Sequence, residues 1–151
     1  MTKGIILEFE RGGKVFAELL EKKAPKTCKA ISRALPVENK AIHAIWAGEE
    51  IFFDGFPLPQ TLEFENEMNT VMPGDVACLS SYIRHSSTYK KDTTSFCIFY
   101  GKARPRKGVD ETVDVNVFAK IKDIETITKI GRRIRWEGSE KLSIKLESSV
   151  G

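Results

Sequence analysis

The sequence predicts a mainly β fold, a closed β-barrel with one helix after its first hairpin and a second, short helix before its last strand. Three observations carry that reading. Short segments rich in β-branched and aromatic residues recur along the chain, separated by Gly, Pro and Asp turn signals. The first two meet across Arg11-Gly12-Gly13-Lys14, where a glycine pair supplies the positive φ angles of a hairpin turn. Helical spacing is confined to two stretches, one after that hairpin and one near the end of the chain.

The elements follow in order. Residues 4–10 and 15–20 form the opening hairpin. Residues 24–35 read as an amphipathic helix: Pro25 sits near its start, Pro36 lies just past its end, and Thr27, Cys28, Ile31, Ala34 and Leu35 share the inward face. Residues 40–46 and 49–53 read as two short strands divided by a bend or bulge at Gly48. Alternation then puts Ile42, Ala44 and Trp46 on one face and His43 and Ile45 on the other. Residues 54–59 form a turn and a loop, and Glu63, Glu65 and Glu67, alternating with Leu62, Phe64 and Asn66, read as a solvated strand face. Met72-Pro73-Gly74-Asp75 is a tight turn with proline at its second corner, delivering a strand over 76–80. An exposed polar loop over 84–94 leads to the apolar strand 95–100, and a second polar loop runs over 101–114. A strand over 115–121, a short helix over 123–130 and a strand over 142–146 complete the pattern.

At 151 residues the chain has the length of one domain, expected to span 1–151, and its 41% hydrophobic and 30% charged residues are the balance of a globular protein. No apolar run approaches the roughly 18 residues that cross a bilayer. Met1-Thr2-Lys3-Gly4 leads straight into a strand without the apolar core of a signal peptide, so a cytoplasmic protein with no membrane partner is expected. The three cysteines, Cys28, Cys78 and Cys97, show no CxxC spacing, which points to reduced, buried thiols. The net charge of +3 reflects 24 basic and 21 acidic residues spread along the chain, which argues against a nucleic-acid partner. The densest basic stretches, residues 102–107 and 132–135, read as a solvated loop and a solvated helix end.

Several words of the sequence, in this order, resemble the cyclophilins. Ala24-Pro25-Lys26-Thr27 matches the phrase that opens the helix after the first cyclophilin hairpin, and residues 73–80 look like the Gly-anchored central strand. Residues 95–99 resemble the strand lining the peptide groove, and Val117-Phe118-Ala119-Lys120-Ile121 is similar to the closing valine-phenylalanine-glycine-lysine-valine passage. A closer resemblance is to small prokaryotic cyclophilin-like families of unassigned function. It lies in residues 43–52, Pro73-Gly74-Asp75-Val76, Phe99-Tyr100-Gly101 and Asn116-Val117-Phe118-Ala119. The resemblance implies a cyclophilin-like barrel over nearly the whole chain. It also implies a groove without the isomerase arginine, because Ala44 stands where a guanidinium would hydrogen-bond the pyramidalising proline nitrogen. Efficient prolyl isomerisation is therefore not expected.

The candidate ligand-binding residues are His43, Trp46, Glu50, Tyr100, Asn116 and Phe118. His43 near Glu49 or Glu50 has the ingredients of a general base with an orienting carboxylate, and equally those of a hydrogen-bonded barrel residue. Trp46 offers a flat apolar face and one N–H donor, to a ligand or to the core. Asn116, on an otherwise apolar strand, must find partners in backbone or ligand, and Tyr100 places a phenol where an apolar strand opens into a loop. The two histidines, neither at metal-binding helical spacing, argue against a metal site, and no cofactor is expected. Cys78 and Cys97 are expected on neighbouring strands, in apolar settings that raise a thiol's pKa and favour inert core thiols.

The expected function is binding of a small molecule or short peptide in a barrel-side pocket. A residual prolyl isomerase with a groove of Phe96, Phe99 and Phe118 is the enzymatic alternative, and a structural or accessory subunit of a metabolic enzyme complex is the third. Exposed strand edges and the loop aromatics Phe56 and Tyr82 make a homo-oligomer a further expectation.

Overall fold

Strand alternation and turn chemistry place the elements in a ring. The computed structural model describes residues 2–58, 62–79, 94–106 and 111–149. In order, these form β1 (Thr2–Phe9), β2 (Lys14–Leu19), α1 (Pro25–Ala34), β3 (Val37–His43), a 3-10 turn (Ile45–Ala47), β4 (Gly48–Phe56), β5 (Glu67–Met68), β6 (Asp75–Leu79), β7 (Thr94–Ala103), β8 (Val115–Ile121), α2 (Ile124–Glu137) and β9 (Glu140–Ser149). The strands pair in the order β2-β1-β9-β3-β4-β7-β6-β8, and β2 also pairs with β8, which closes an eight-stranded barrel. Every pairing is antiparallel. β5 is an added ninth strand on the first two residues of β8. This is the predicted barrel, with its helix after the first hairpin and its helix before the last strand.

The hairpin turn bond runs from Gly12 N–H to the Phe9 carbonyl at 3.0 Å, so Glu10 and Arg11 occupy the turn centre. Gly12 and Gly13 follow with φ of 114° and 101°. Asp75 N–H donates to the Met72 carbonyl at 3.0 Å, the bond of the tight turn read from the Pro-Gly pair.

Several segments depart from the sequence reading. β3 ends at His43, and the 3-10 turn sends the chain back so that β3 and β4 become hairpin partners, Ile42 opposite Phe52 and His43 opposite Ile51. Alternation therefore stops before Trp46. Residues 62–66 are not a strand: the Glu65 carboxylate accepts from Lys26 N (3.1 Å), Thr27 N (2.6 Å) and Thr27 Oγ1 (2.8 Å) at the start of α1. α1 needs that outside acceptor because its own N-cap residue, Ala24, has none. The second helix is longer than expected, passing through Gly131 to Glu137, and Asp123 caps it by accepting from Thr126 N at 3.2 Å. The loop expected over 101–114 is shortened by β7, which runs to Ala103, and by a bridge between Arg106 and Thr112. The loop expected over 84–94 lies outside the described residues except for Thr94, and so does Tyr82.

The barrel is filled by one apolar cluster drawn from every full-length strand of the ring and from both helices. Its aromatic centre stacks Phe96 on Phe53 (5.4 Å between ring centroids) and on Phe56 (5.6 Å), with Phe118 edge-on at 5.9 Å. Phe56 is thus core, not a loop aromatic open to self-association. A second cluster lies on the outer face of β4, β6, β7 and β8, containing Phe52, Phe99 and Val117. The central residues of these strands are buried on both faces, which is why the strands carry apolar segments such as Ile51-Phe52-Phe53 and Phe96-Cys97-Ile98-Phe99. Phe96 and Phe118 face the interior while Phe99 faces out, so the three do not line one groove. All three cysteines are buried. Burial pushes the thiols of Cys28 and Cys78 up to about 12. Among the described residues no helix is long and apolar enough to cross a membrane.

Candidate functional site

The inward face of β7 places the Tyr100 side chain at the end of the barrel that α2 covers. Gly131 makes the approach possible, because a Cβ there would fall inside contact distance of the Tyr100 ring. One turn earlier, Thr128 Oγ1 donates to the Tyr100 carbonyl at 3.2 Å. His43, the last residue of β3, faces the same end. Its Nε2 lies 2.6 Å from the Tyr100 hydroxyl, with the two rings edge to face at 5.7 Å. Tyr100 is 1% exposed and His43 is half-buried. His43 Nδ1 is closed to solvent and has no hydrogen-bond partner among the described residues.

Charges around this pair come from two elements. Burial, and then the positive charge of Arg135, hold the His43 pKa below its ordinary value against the opposing pull of Glu49. Burial, and then Glu49, raise the Tyr100 pKa, opposed by Arg135 and Arg132. Both groups are therefore neutral near pH 7. Glu49 Oε1 in turn accepts from Lys102 N at 3.0 Å.

A pH dependence follows. Below the ordinary histidine value of about 6.5, the unfolded chain takes up a proton that folded His43 resists, so stability falls as the pH drops through that value. Unfolding by urea at pH 7.5 and pH 5.5 should show the loss, and His43→Gln should lessen it. An equal loss in the variant would remove His43 as its source.

The remaining candidates lie elsewhere. Glu50 and Trp46 belong to the outer face: Glu50 is 5% exposed and sits opposite Phe99 on β4, while half-buried Trp46 packs edge-on against Phe52 at 5.6 Å. Ala44, where the isomerase arginine was sought, is buried in the same outer cluster. Asn116 is satisfied by the protein itself, donating to the Glu63 carbonyl (2.9 Å) and Thr27 Oγ1 (3.3 Å) and accepting from Glu65 N (3.2 Å). It ties the 62–66 segment to α1. Phe118 is interior core. A surface groove of about 340 Å³ runs along β1, β3 and β9, and none of the six candidates lines it. Sequence reasoning missed Arg132 and Arg135 as neighbours of His43 and Tyr100. Their one available signal was helical spacing, Arg132 four residues after Thr128 and Arg135 four after Gly131.

No curated protein matches the chain. The fold is shared with McbB, whose structure was determined in complex with tryptophan: TM-score 0.72 at 17% identity, over 97% of this chain and 46% of that one. The chain thus spans less than half the length of McbB. It is also shared with the hypothetical protein AF2241 from Archaeoglobus fulgidus, with TM-score 0.58 at 22% identity over 95% of this chain and 93% of that one. At these identities the likeness is one of fold. Residues 7–146 match the model of a family described as protein of unknown function (DUF3830), and the chain belongs to that family.

Proposed function

We propose that the chain binds a small molecule at the α2-covered end of its barrel, with His43 and Tyr100 as the recognition pair. The observation that carries this reading is the solvent-excluded His43 Nδ1, without a partner among the described residues, beside a ring nitrogen that is well bonded. An unmet polar atom in a buried pair is costly to the free protein, and a ligand atom that meets it recovers that cost on binding. A compact ligand suits this better than an extended peptide, because the nitrogen is closed off on all sides. A small molecule is also the ligand with which the structure of McbB, a protein that shares this fold over 46% of its length, was determined.

The test is a thermal-shift screen of amino acids, carboxylates, amides and sugars against the wild type, His43→Gln and Tyr100→Phe. A ligand at about 100 times its Kd adds roughly 2.7 kcal/mol to stability, an easily read upward shift in Tm. That shift should vanish in His43→Gln and shrink in Tyr100→Phe. A full shift surviving in both variants would move the site elsewhere.

A further inference from the structure

We infer that the ligand of this site carries a carboxylate, which accepts a hydrogen bond from His43 Nδ1 and takes Arg132 and Arg135 as its counter-charges. The inference rests on the ligand-binding reading above and specifies its chemistry.

The tautomer of His43 comes first. Among the described residues the Tyr100 hydroxyl has one acceptor within reach, His43 Nε2. If the ring donated to the phenol instead, the phenol hydrogen and the Nδ1 lone pair would both be left unmet. With the phenol donating, only Nδ1–H is unmet. The open position is therefore a donor, and it selects an acceptor atom on the ligand.

The charge of that acceptor comes from α2. Arg132 and Arg135 lie one turn beyond Thr128 and Gly131, two residues of α2 that lie against Tyr100. Their charge bears on Tyr100, and that of Arg135 on His43 as well. Among the described residues neither forms an ion pair, whereas Arg133 between them is fully engaged by Glu140. Arg135 lies 4.9 Å over the ring of Trp136, which is 77% exposed, and this holds the guanidinium at the outer end of the helix. The opposing charge is Glu49. Two cations against one carboxylate leave a single positive charge for the ligand to neutralise, and guanidinium groups match the two oxygens of a carboxylate. Because Nδ1 is closed to solvent, the ligand must displace part of its cover.

The experiment uses the full chain with His85→Gln, which leaves His43 as its sole histidine. Side-chain ¹⁵N spectra are recorded while benzoate, benzamide and inorganic phosphate are titrated in turn. Benzoate is expected to move the Nδ1 signal saturably, with benzamide at least tenfold weaker. Arg132→Gln combined with Arg135→Gln should weaken benzoate at least tenfold and leave benzamide unchanged, with circular dichroism confirming the fold. Benzamide binding as tightly as benzoate, with the same Nδ1 shift, would overturn the carboxylate while leaving the ligand site standing. Phosphate binding more tightly than benzoate would also overturn it. No Nδ1 shift with any probe would overturn both this inference and the reading it rests on.

Discussion

Replacing Glu140 by alanine is expected to cost the fold about 3–5 kcal/mol, the loss typical of a buried charge cluster stripped of one sign. Glu140 opens β9 with its side chain 1% exposed. Its carboxylate accepts from Arg11 N (3.1 Å) and Nε (2.8 Å) and from Arg133 Nε (2.9 Å) and Nη2 (2.6 Å). Arg133 Nη2 also donates to the Gly12 carbonyl at 2.8 Å, and Arg11 donates to the carbonyls of Glu137 and Gly138. One carboxylate thus joins the β1–β2 turn, the end of α2 and the start of β9. Burial opposes its ionisation, but the bonds from Arg133 and Arg11 outweigh it and hold the pKa below the usual carboxylate value. Its contribution is complete above the unfolded glutamate value of about 4.3 and is lost as the pH falls through the lower folded value, a window well below that of His43. Urea unfolding of Glu140→Ala measures the cost. A triple variant with apolar side chains at 11, 133 and 140 should recover much of it, since no charge is then left unpaired. A single variant within 1 kcal/mol of the wild type would show that solvent reaches the cluster.

Gly131→Ala is the second large effect, and its sign is opposite to the ordinary rule. Within a helix, alanine is worth about 0.8–1.0 kcal/mol more than glycine. Here the new methyl would meet the Cγ, Cδ1 and Cε1 atoms of the Tyr100 ring, a rigid group enclosed by the core. Overpacking of this kind costs about 1–3 kcal/mol, so the net change is a loss. Because the ring must shift, its hydroxyl should also lose register with His43 Nε2, and the His43 pKa should change with it. Thermal unfolding and a histidine NMR titration measure the two consequences. A Gly131→Ala protein more stable than the wild type would mean that α2 can lift off Tyr100 freely. Lys129→Ala, on the exposed side of the same helix, should be near neutral.

Features set by near neighbours were legible in the sequence. The β1–β2 hairpin, the turn at Pro73-Gly74 and the inward face of α1 at Thr27, Cys28 and Ile31 each depend on residues within one turn or ladder step, though the hairpin's centre is Glu10-Arg11 and the expected glycine pair comes just after it. β8 was read with its observed bounds because it is a β-branched and aromatic apolar segment broken only by Asn116 and Lys120. Side-chain partnerships set by barrel closure were not legible. His43 and Tyr100 are 57 positions apart, and Arg11 and Glu140 are 129. Nothing local marks either pair. Arg133 looked like one more solvated arginine, and only the return of β9 gives it a carboxylate. Likewise Glu65 looked like part of a charged strand face until α1, lacking its own acceptor, was found to lie against it.

The position of β9 between β1 and β3 has a bearing on how the chain reaches this state. Its ladder with β1 joins Thr2 to Ser149, and that with β3 joins Val37 to Ile144. During synthesis the other seven strands of the ring therefore emerge with a gap between β1 and β3, and both unpaired borders wait for β9, which is translated after them. Contacts of such sequence separation make for slow folding, and open borders are sticky toward other chains in the meantime. A nascent chain arrested before residue 140 should be protease-sensitive and bound by chaperones, and synthesis through the end of β9 at Ser149 should end both.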